Sequence, residues 1–512
     1  MASTAVPLDA QSRVIGYQLK KSVNQTVTAN LPQRIVIMAE ANTANQANVT
    51  PSTGVEVISA SSAGVEYGYG SPIYQIMRIL RSKFGDAIGS IPTLIYSQLE
   101  AGGAVAAVRT VTVTGAATAT AVHNVLINGR TNVDGSSYSI SIVSGDSVTQ
   151  VAAKISDAIN AVLASPVTAT SALGVVTITS KWKGVTSDET NVAIDTLSLP
   201  VGLSYAVASP TAGSGIADIT ATLTALDGNE WNTLVINSFN DASHLNQLEV
   251  FNGRPDATTP TGRYAAIKFK PIVALFGSLN STIASVAAIT DTAARKIEST
   301  NVLCPAPNST GYSWEAAANV GTLYAPLLTN TPHLDVSSDL YPDMPTPESI
   351  GDYATFAGRD NLLKKGSSTV DLVSGRYEIQ EIVTTYHPVG ETPAQYQYVR
   401  NLAGIDWNVA FGINLIEQRF IIDHMIADDN STVNVANVIK PKQVKQLISS
   451  YADDLASRGL IVEAQYMKDS IVVSTGNTNP DRLEINFNYK RSPFGRVIST
   501  TASAGFAFGL TS

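Results

Sequence analysis

The last sixteen residues of the chain, 497–512, carry no charge and alternate between two sets of side chains. One set consists of Ile498, Thr500, Ala502, Ala504, Phe506 and Phe508. A period of two is typical of a β-strand, and a strand with no charge or proline leaves its open N–H and C=O groups ready to pair with another chain. The segment is therefore predicted either to be buried in its own subunit or to complete a sheet in a neighbouring subunit.

The length and the low charge content favour several domains whose surfaces are partly covered by other subunits. A chain of 512 residues is expected to divide into about three domains of ordinary size. Charged residues make up 15% of the chain, whereas soluble domains average about 25%. So few charges protect a lone protein poorly against self-association. A neutral polar coat, as on a secreted or extremophile protein, is the alternative.

Charge and cysteine content exclude several classes of function. The net charge is −9 and there is no dense run of Lys or Arg, so nucleic-acid binding is not predicted. Cys304 is the only cysteine, which rules out an intrachain disulfide, and we expect it to be an inert buried thiol. We see no secretory signal and no apolar run near the roughly 20 residues that span a bilayer. Maturation in the cytosol and no membrane insertion are therefore expected.

Alternating strand and helix signals predict an α/β core in two parts, over 31–104 and 214–369. Residues 34–39 are predicted to form a buried strand, and Ser71 and Pro72 to begin a helix as N-cap and first helical residue. Further strands are predicted at 93–99, 233–237, 267–275 and 302–304, and further helices at 243–251 and 314–324. Such alternation favours a mostly parallel sheet with helices on both faces.

A Val- and Thr-rich block between two small-residue hinges predicts an inserted β-rich domain at 105–213. Strands are expected at 110–115, 122–128 and 137–143, with turns at 128–129 and 134–135, followed by a helix capped by Ser147 and a hairpin around Gly174. The hinges are at 101–104 and 210–215, and such flanks on both sides of a self-contained pattern suggest a domain inserted into a loop, which is tolerated where chain ends lie close together.

The remaining chain predicts a C-terminal α+β domain, 370–496, and two terminal arms, 1–30 and 497–512. Strands at 370–373 and 378–386 precede a helix at 393–426, a second helix from Pro441 to a stop at Gly459, and strands near 470–474, 482–489 and 497–508. The N-terminal arm holds a strand-like stretch: Arg13, Val14, Ile15, Tyr17 and Leu19. The fold class predicted is thus α/β and α+β, multidomain.

Recognised catalytic and metal-binding motifs are missing from the sequence. The five histidines, His123, His244, His333, His387 and His424, are scattered singly. The acidic residues around His424 are interpreted as a solvated helix end. We therefore expect no enzyme activity, no metal and no cofactor. Two basic clusters could meet an acidic partner: Lys440, Lys442 and Lys445, and Lys490, Arg491 and Arg496.

Several segments in order resemble contractile bacteriophage tail sheath proteins, most closely the phage Mu-like branch. They are 57–60 and 67–72 (YGYGSP), then 127–129, 145–147 and 175–179 in the inserted block, and 479–483 (NPDRL) before the last strands. The family pattern has Phe more often where this chain has Tyr67. The similarity spans nearly the whole chain.

The resemblance implies a subtilisin-like core without protease chemistry, in a virion subunit assembled in the host cytoplasm. It implies hexameric rings stacked helically around a tail tube protein, with baseplate and tail terminator proteins as further partners. It also implies strand exchange through the two arms, and an inserted domain on the outside. On this view the six basic residues are candidates for facing the tube.

Three alternatives remain open at the level of sequence. The chain could be the sheath of a bacteriocin or secretion machine. It could be a hydrolase that uses the α/β core with a convergent Ser, His and Asp. It could also be a surface adhesin built on the inserted block.

Overall fold

The computed structural model describes residues 30–82, 88–196, 201–227, 234–255, 259–265, 269–391, 394–433, 435–476 and 478–502. Contacts divide the chain into two compact units, 30–408 and one that begins at Val409. The sequence division places a domain boundary at 369/370, and that six-part division stays a prediction.

The first segment of the larger unit contains the predicted strand, helix and strand in that order, and two elements that the sequence did not predict. It comprises β1 (Ile35–Glu40), β2 (Val55–Glu56), α1 (Ala60–Tyr67), α2 (Pro72–Leu80) and β3 (Thr93–Gln98). The two elements that were not predicted are β2 and α1. Helix α2 begins as predicted, because the Ser71 side chain accepts a hydrogen bond from the backbone N–H of Tyr74 and Pro72 needs no partner for its nitrogen.

The inserted block forms two larger antiparallel sheets, a two-stranded ribbon and one long helix. Its elements are β4 (Val108–Gly115), β5 (Ala121–Ile127), β6 (Asn132–Val133), β7 (Ser136–Ser137), β8 (Ser139–Ile142), α3 (Val148–Ala161), β9 (Val167–Ala172), β10 (Val175–Ser180), β11 (Val192–Asp195) and β12 (Leu203–Thr211). The sheet orders are β12-β4-β10-β9 and β11-β5-β8, and the ribbon is β6-β7. The predicted turns are confirmed by left-handed backbone at Asn128, Gly129, Asp134 and Gly135. Ser147 and Gln150 cap α3 reciprocally.

The chain then completes the core and a hairpin. The elements are α4 (Thr220–Asp227), β13 (Leu234–Asn237), α5 (Ala242–Asn252), β14 (Val273–Ser278), α6 (Ile283–Thr290), β15 (Asn301–Pro305), α7 (Ser313–Asn330), α8 (Phe356–Lys364), β16 (Thr369–Val373) and β17 (Arg376–Glu381). Two predicted bounds are corrected: β14 begins only after Pro271, which cannot donate to a sheet ladder, and β17 ends at Glu381, five residues early.

The core sheet has the order β15-β14-β13-β1-β3-β2 and is parallel except for β2. Every residue of β1, β13, β14 and β15 is buried, as expected of parallel strands covered on both faces. Val235 packs in a cluster with Leu226 and Leu248, whereas its neighbour Ile236 lies against Gly321 of α7. The predicted mixed α/β architecture, with helices on both faces of a mostly parallel sheet, is confirmed.

The smaller unit is built from helices and very short strands. The larger unit ends with a π-helical segment, Arg400–Asp406, and the first two residues of α9 (Trp407–Phe420), and the rest of α9 begins the smaller unit. The predicted helix at 393–426 is therefore too long at both ends. Then follow β18 (Met425–Ile426), β19 (Val438–Ile439), α10 (Pro441–Ser457), β20 (Ile461–Val462), α11 (Ala464–Ser470), β21 (Val472–Thr475), β22 (Leu483–Asn486) and β23 (Lys490–Arg491). Helix α10 ends at Ser457, and the predicted stop, Gly459, follows two residues later with a positive φ.

Candidate functional site

In open α/β folds, ligands bind at the carboxyl ends of the parallel strands. In this protein the inserted block supplies side chains to that edge. Glu40, the last residue of β1, accepts hydrogen bonds from Thr186 of the inserted block at 2.6 Å and from Ser238 after β13 at 3.0 Å. Only 2% of Glu40 is exposed, and this burial raises the pKa of its carboxyl to about 7.

An aromatic cluster fills the space next to Glu40. Trp182, from the inserted block, is fully buried, and its ring centroid lies 5.7 Å from that of Tyr312 and 6.0 Å from that of Trp314. Its indole N–H donates to Thr186 Oγ1 at 3.0 Å. The same threonine therefore joins the buried tryptophan to the carboxylate at the end of β1.

A carboxylate from the inserted block, that of Glu189, caps helix α7. Glu189 accepts from the Ser313 backbone N–H at 2.6 Å and from its hydroxyl at 2.7 Å. A helix N-terminus has unpaired N–H groups and a favourable dipole for a negative charge. The helix end that could receive an anionic ligand is thus occupied by the protein's own side chain.

Four charged residues join the inserted block to α2 and α7. Arg130 Nη1 lies 2.9 Å from Glu315 Oε2, and Arg130 Nη2 lies 3.1 Å from Asp343 Oδ1. Arg78 of α2 reaches Asp343 at 2.5 Å and Glu315 at 3.9 Å. The two arginines hold the pKa of the Asp343 carboxyl below its usual range. A polar cavity of about 490 Å³ lies beside this cluster.

The approach of the inserted block to this cluster depends on a glycine turn. Gly129 has φ +72°, and a Cβ there would lie 2.0 Å from Thr310 Oγ1. The Asn128-Gly129 turn therefore serves both to reverse the chain and to bring Arg130 to Glu315. Sequence reasoning predicted the turn but missed the cluster, because its members are separated by up to 265 positions.

His244 is not placed to act as the general base of a hydrolase. His244 is buried, with Nδ1 2.5 Å from Asp241 Oδ2 and Nε2 2.9 Å from the Ala217 carbonyl oxygen. Both ring nitrogens are therefore engaged, and neither can take a proton from a serine. Cys304 is buried as predicted, and burial raises the pKa of its thiol.

Within the described ranges, no group of three His, Cys, Asp or Glu side chains could hold a metal ion. A search of the same ranges finds no helix long and apolar enough to cross a membrane.

The predicted arm strands are only partly described. Arg13 to Leu19, Ala504, Phe506 and Phe508 lie outside the described residues. Residues 497–502 are exposed and form no strand within the chain, with Ile498 83% exposed. Pairing of these segments with a neighbouring subunit stays a prediction.

The predicted basic residues are engaged to different degrees. Lys440 Nζ donates to the Ser431 carbonyl at 2.6 Å, and Lys442 Nζ donates to the Asp429 carbonyl. Lys490 Nζ lies 2.5 Å from Glu463 Oε2 and 4.6 Å from the centre of the Tyr466 ring. Arg491 lies in β23, the Arg496 guanidinium lies 5.9 Å from the Phe494 ring centre, and Lys445 is exposed. A role in facing another protein stays a prediction for all six.

The smaller unit presents open strand edges. Strands β21 and β22 pair only with each other, as do β20 and β23, among the strands of the described chain. No residue of β21 or β22 is buried. Two-stranded ribbons are marginally stable alone in water.

Comparison with known proteins gives one sequence relative of note. The Mu-like prophage FluMu tail sheath protein of Haemophilus influenzae is 24% identical over 445 residues, which are 85% of this chain and 85% of that protein. The resemblance to Mu-like tail sheath proteins is thereby confirmed. No family model matches the sequence.

A solved structure, the sheath tail protein of Desulfitobacterium hafniense, aligns with a TM-score of 0.44 and 11% identity. The alignment covers 93% of this chain and all of that one.

Proposed function

We propose that this chain, a relative of Mu-like prophage tail sheath proteins, is the structural subunit of a contractile phage tail sheath. Subunits would form hexameric rings stacked helically around a tail tube protein, bounded by baseplate and tail terminator proteins. Contraction would drive the tube through the host envelope. The similarity over 85% of both chains carries this proposal. The virion is its place of action, after assembly in the host cytoplasm.

The carboxyl edge of the core sheet supports a structural role. Glu40, Trp182 and Glu189 make contacts there that fix the inserted block on the core. A body held by buried hydrogen bonds and ion pairs resists deformation. Such a body suits a subunit that passes force to its neighbours.

The arms would join subunits by strand addition. Residues 13–19 and 498–508 supply uncharged or weakly charged alternating segments, and β21–β22 supplies open edges. Main-chain hydrogen bonds across such joints can persist while polar contacts between subunit bodies are exchanged. Contraction then needs no nucleotide, provided that the extended state is metastable.

Among the six basic residues, Lys445 is our first candidate for facing the tube, because it lies exposed on α10. The side chains of Lys440, Lys442 and Lys490 already contact Ser431, Asp429 and Glu463. A sheath of a bacteriocin or secretion machine would use the same contacts. The prophage relative favours the phage, and capsid genes beside this gene would support that choice.

Negative-stain electron microscopy of the concentrated full-length protein tests the proposal, first alone and then with purified tube and baseplate. We expect hollow striated tubes. A chain without residues 498–512 should remain folded and soluble but form no tubes, whereas a control lacking only residues 509–512 should assemble. Tubes from the chain ending at 497 would contradict strand exchange. Failure of the full-length protein to assemble on tube and baseplate would contradict the sheath role.

A further inference from the structure

A leucine in an unfavourable backbone conformation lies at the tip of the β9–β10 hairpin of the inserted block. Leu173 and Gly174 form its two-residue turn, with φ +48° and +82°. Left-handed backbone at both positions is typical of a type I′ turn, which favours Asn-Gly or Asp-Gly. The same conformation occurs in three other two-residue turns of the described chain, each of which begins with a polar residue: Asn128-Gly129, Asp134-Gly135 and Ser374-Gly375.

The Leu173 side chain is left almost entirely in solvent. It is 92% exposed, so its burial does not offset the unfavourable left-handed backbone. An asparagine would make this turn more favourable, because its short polar side chain can hydrogen-bond locally. A strained conformation that the subunit does not use for its own packing indicates a contact made outside the subunit.

An exposed apolar groove lies between α4 and α5 of the core. Its volume is about 530 Å³, within the range of pockets that bind small molecules. Leu223 and Phe251 are half-buried in the groove and pack on the core cluster that contains Leu226 and Leu248, whereas Val250 is 81% exposed. The other lining residues are uncharged as well: Thr220, Thr224, Asn246 and Gln247.

We propose that Leu173 of one copy of this chain docks into the α4–α5 groove of a neighbouring copy. The leucine belongs to the inserted block and the groove to the core helices, so the contact joins two different surfaces. Such a heterologous contact repeats head to tail and gives an assembly a direction. It is therefore compatible with closed rings and with a stack whose two ends differ.

The chemistry of the two surfaces favours a second copy as the occupant of the groove. The chain has a net charge of −9, so two copies repel each other and approach at least cost where neither carries charge. The hairpin tip, residues 170–175 (TSALGV), has no charge, and neither does any lining residue of the groove. One chain thus presents both an exposed apolar side chain and an exposed apolar recess.

A single contact of this kind is expected to be weak in dilute solution. A docked leucine buries far less than the roughly 1,200 Å² of a stable interface. A polymer that holds neighbouring subunits close would raise the effective concentration of the groove. Only this last step rests on the proposed sheath function.

Leu173→Asn separates docking from a role within the subunit. The turn should become more favourable, so we expect the isolated full-length protein to unfold at an equal or higher temperature. The docking side chain is lost, so the critical concentration for tube formation should rise at least about tenfold. Ser374→Asn introduces the same residue in another turn of this conformation and is the control. Assembly of Leu173→Asn at the wild-type concentration, or a lower unfolding temperature, would overturn the proposal.

Cysteine cross-linking identifies the surfaces that meet, because the native Cys304 is fully buried. Ala172→Cys at the hairpin tip and Thr224→Cys at the rim of the groove are exposed positions that leave Leu173 in place. The two proteins are mixed and treated with a short bis-maleimide, in tubes and in concentrated solution. We expect at least about tenfold more cross-linked dimer from the mixture than from either protein alone. Val65→Cys on α1, 70% exposed, replaces Thr224→Cys as the control.

Adding Leu173→Asn to the Ala172→Cys protein should reduce the mixed dimer about tenfold. Absence of the mixed dimer, with both thiols reactive to a monomeric maleimide, would overturn the docking. A Thr224→Cys thiol that does not react with a monomeric maleimide in the isolated subunit would show that the groove is already covered, and would also overturn it. More dimer from Ala172→Cys alone than from the mixture would indicate tip-to-tip contact instead.

Electron microscopy scores tube formation separately. If no tubes form, the sheath proposal fails, and the ratio of mixed to single cross-linking in concentrated solution decides on the docking alone.

Discussion

Strands differ between the two units in how many neighbouring strands they pair with and in how deeply they are buried. In the larger unit, β1, β13 and β14 are flanked by strands on both sides and are fully buried. In the smaller unit, β21 and β22 pair only with each other among the described strands, and none of their residues is buried. The strands of the larger unit's sheet are thus mostly paired on both sides and buried, whereas the described ribbons of the smaller unit have two strands each and little burial.

Two ion pairs, one from each unit, illustrate a similar contrast in burial. Glu315 of the larger unit is 1% exposed at its side chain and contacts Arg130 and Arg78. In the smaller unit, the Lys490 and Glu463 side chains form an ion pair but are 44% and 60% exposed. Removing one partner of a buried ion pair lowers the free energy of unfolding strongly, whereas an exposed pair contributes little to it.

Glu315→Ala is expected to have the largest effect on stability. The substitution leaves Arg130 and Arg78, whose side chains are 12% and 14% exposed, with Asp343 as the remaining acidic partner among the described residues. Breaking a buried pair costs about 3–5 kcal/mol. Chemical denaturation should show that loss in the free energy of unfolding. Lys364→Ala, which removes an exposed pair with Asp360, is the control and should cost about 0.5 kcal/mol or less. Equal losses would remove the contrast between buried and exposed charges.

Glu40 should make stability fall as pH rises toward neutrality. Burial raises its pKa from 4.5 to about 7, so the folded state binds a proton more tightly than the unfolded state. The contribution of Glu40 to the free energy of unfolding is fully present below pH 4.5 and is lost between pH 4.5 and 7. Above pH 7 this contribution no longer changes, and the total loss is about 3 kcal/mol.

Denaturation curves of wild type and Glu40→Gln across this pH range isolate the effect of Glu40. The difference in unfolding free energy between the two should change over the window and then become constant. Parallel pH profiles would show that Glu40 does not titrate there.

Gly412→Ala should destabilise the smaller unit by a moderate amount. A Cβ at Gly412 of α9 would lie 2.1 Å from the Tyr451 hydroxyl oxygen of α10, and overpacking of this kind costs about 1–3 kcal/mol. Hydrogen exchange should become faster in α10. Exchange in the core sheet of the larger unit is the internal reference. Unchanged protection in α10 would mean that Tyr451 moves away without cost.

Lys490→Ala should have the smallest effect. It removes the exposed pair with Glu463 and the contact with the Tyr466 ring, which together are worth about 0.5–1 kcal/mol. Thermal unfolding should shift only slightly. A loss as large as that of Glu315→Ala would indicate that β20–β23 is as rigid as the core sheet.

Local signals in the sequence predicted most elements correctly. Ser71 with Pro72, Ser147 with Gln150, and the Asn128-Gly129 turn each act within four residues, so their effect is independent of distant parts of the chain. Two predicted elements were too long because the pattern continued past the element, whereas the helix predicted at 314–324 was too short, since α7 continues to Asn330. The predicted helix at 393–426 and the strand at 378–386 continue apolar spacing past the true ends, Phe420 and Glu381.

The contacts of the candidate site could not be predicted from the sequence. No sequence pattern links Glu40 to Thr186, or Trp182 to Trp314, because these contacts join positions more than 130 residues apart.

The sequence by itself determined the periodicity, the helix caps and the turns, and through them the order of strands and helices, because those preferences are set by neighbouring residues. Tertiary structure alone decided that Arg78, Arg130, Glu315 and Asp343 meet, that Glu40 is buried, and that the inserted block covers the carboxyl edge of the core sheet. Desolvation and ion pairing depend on which distant surfaces come together.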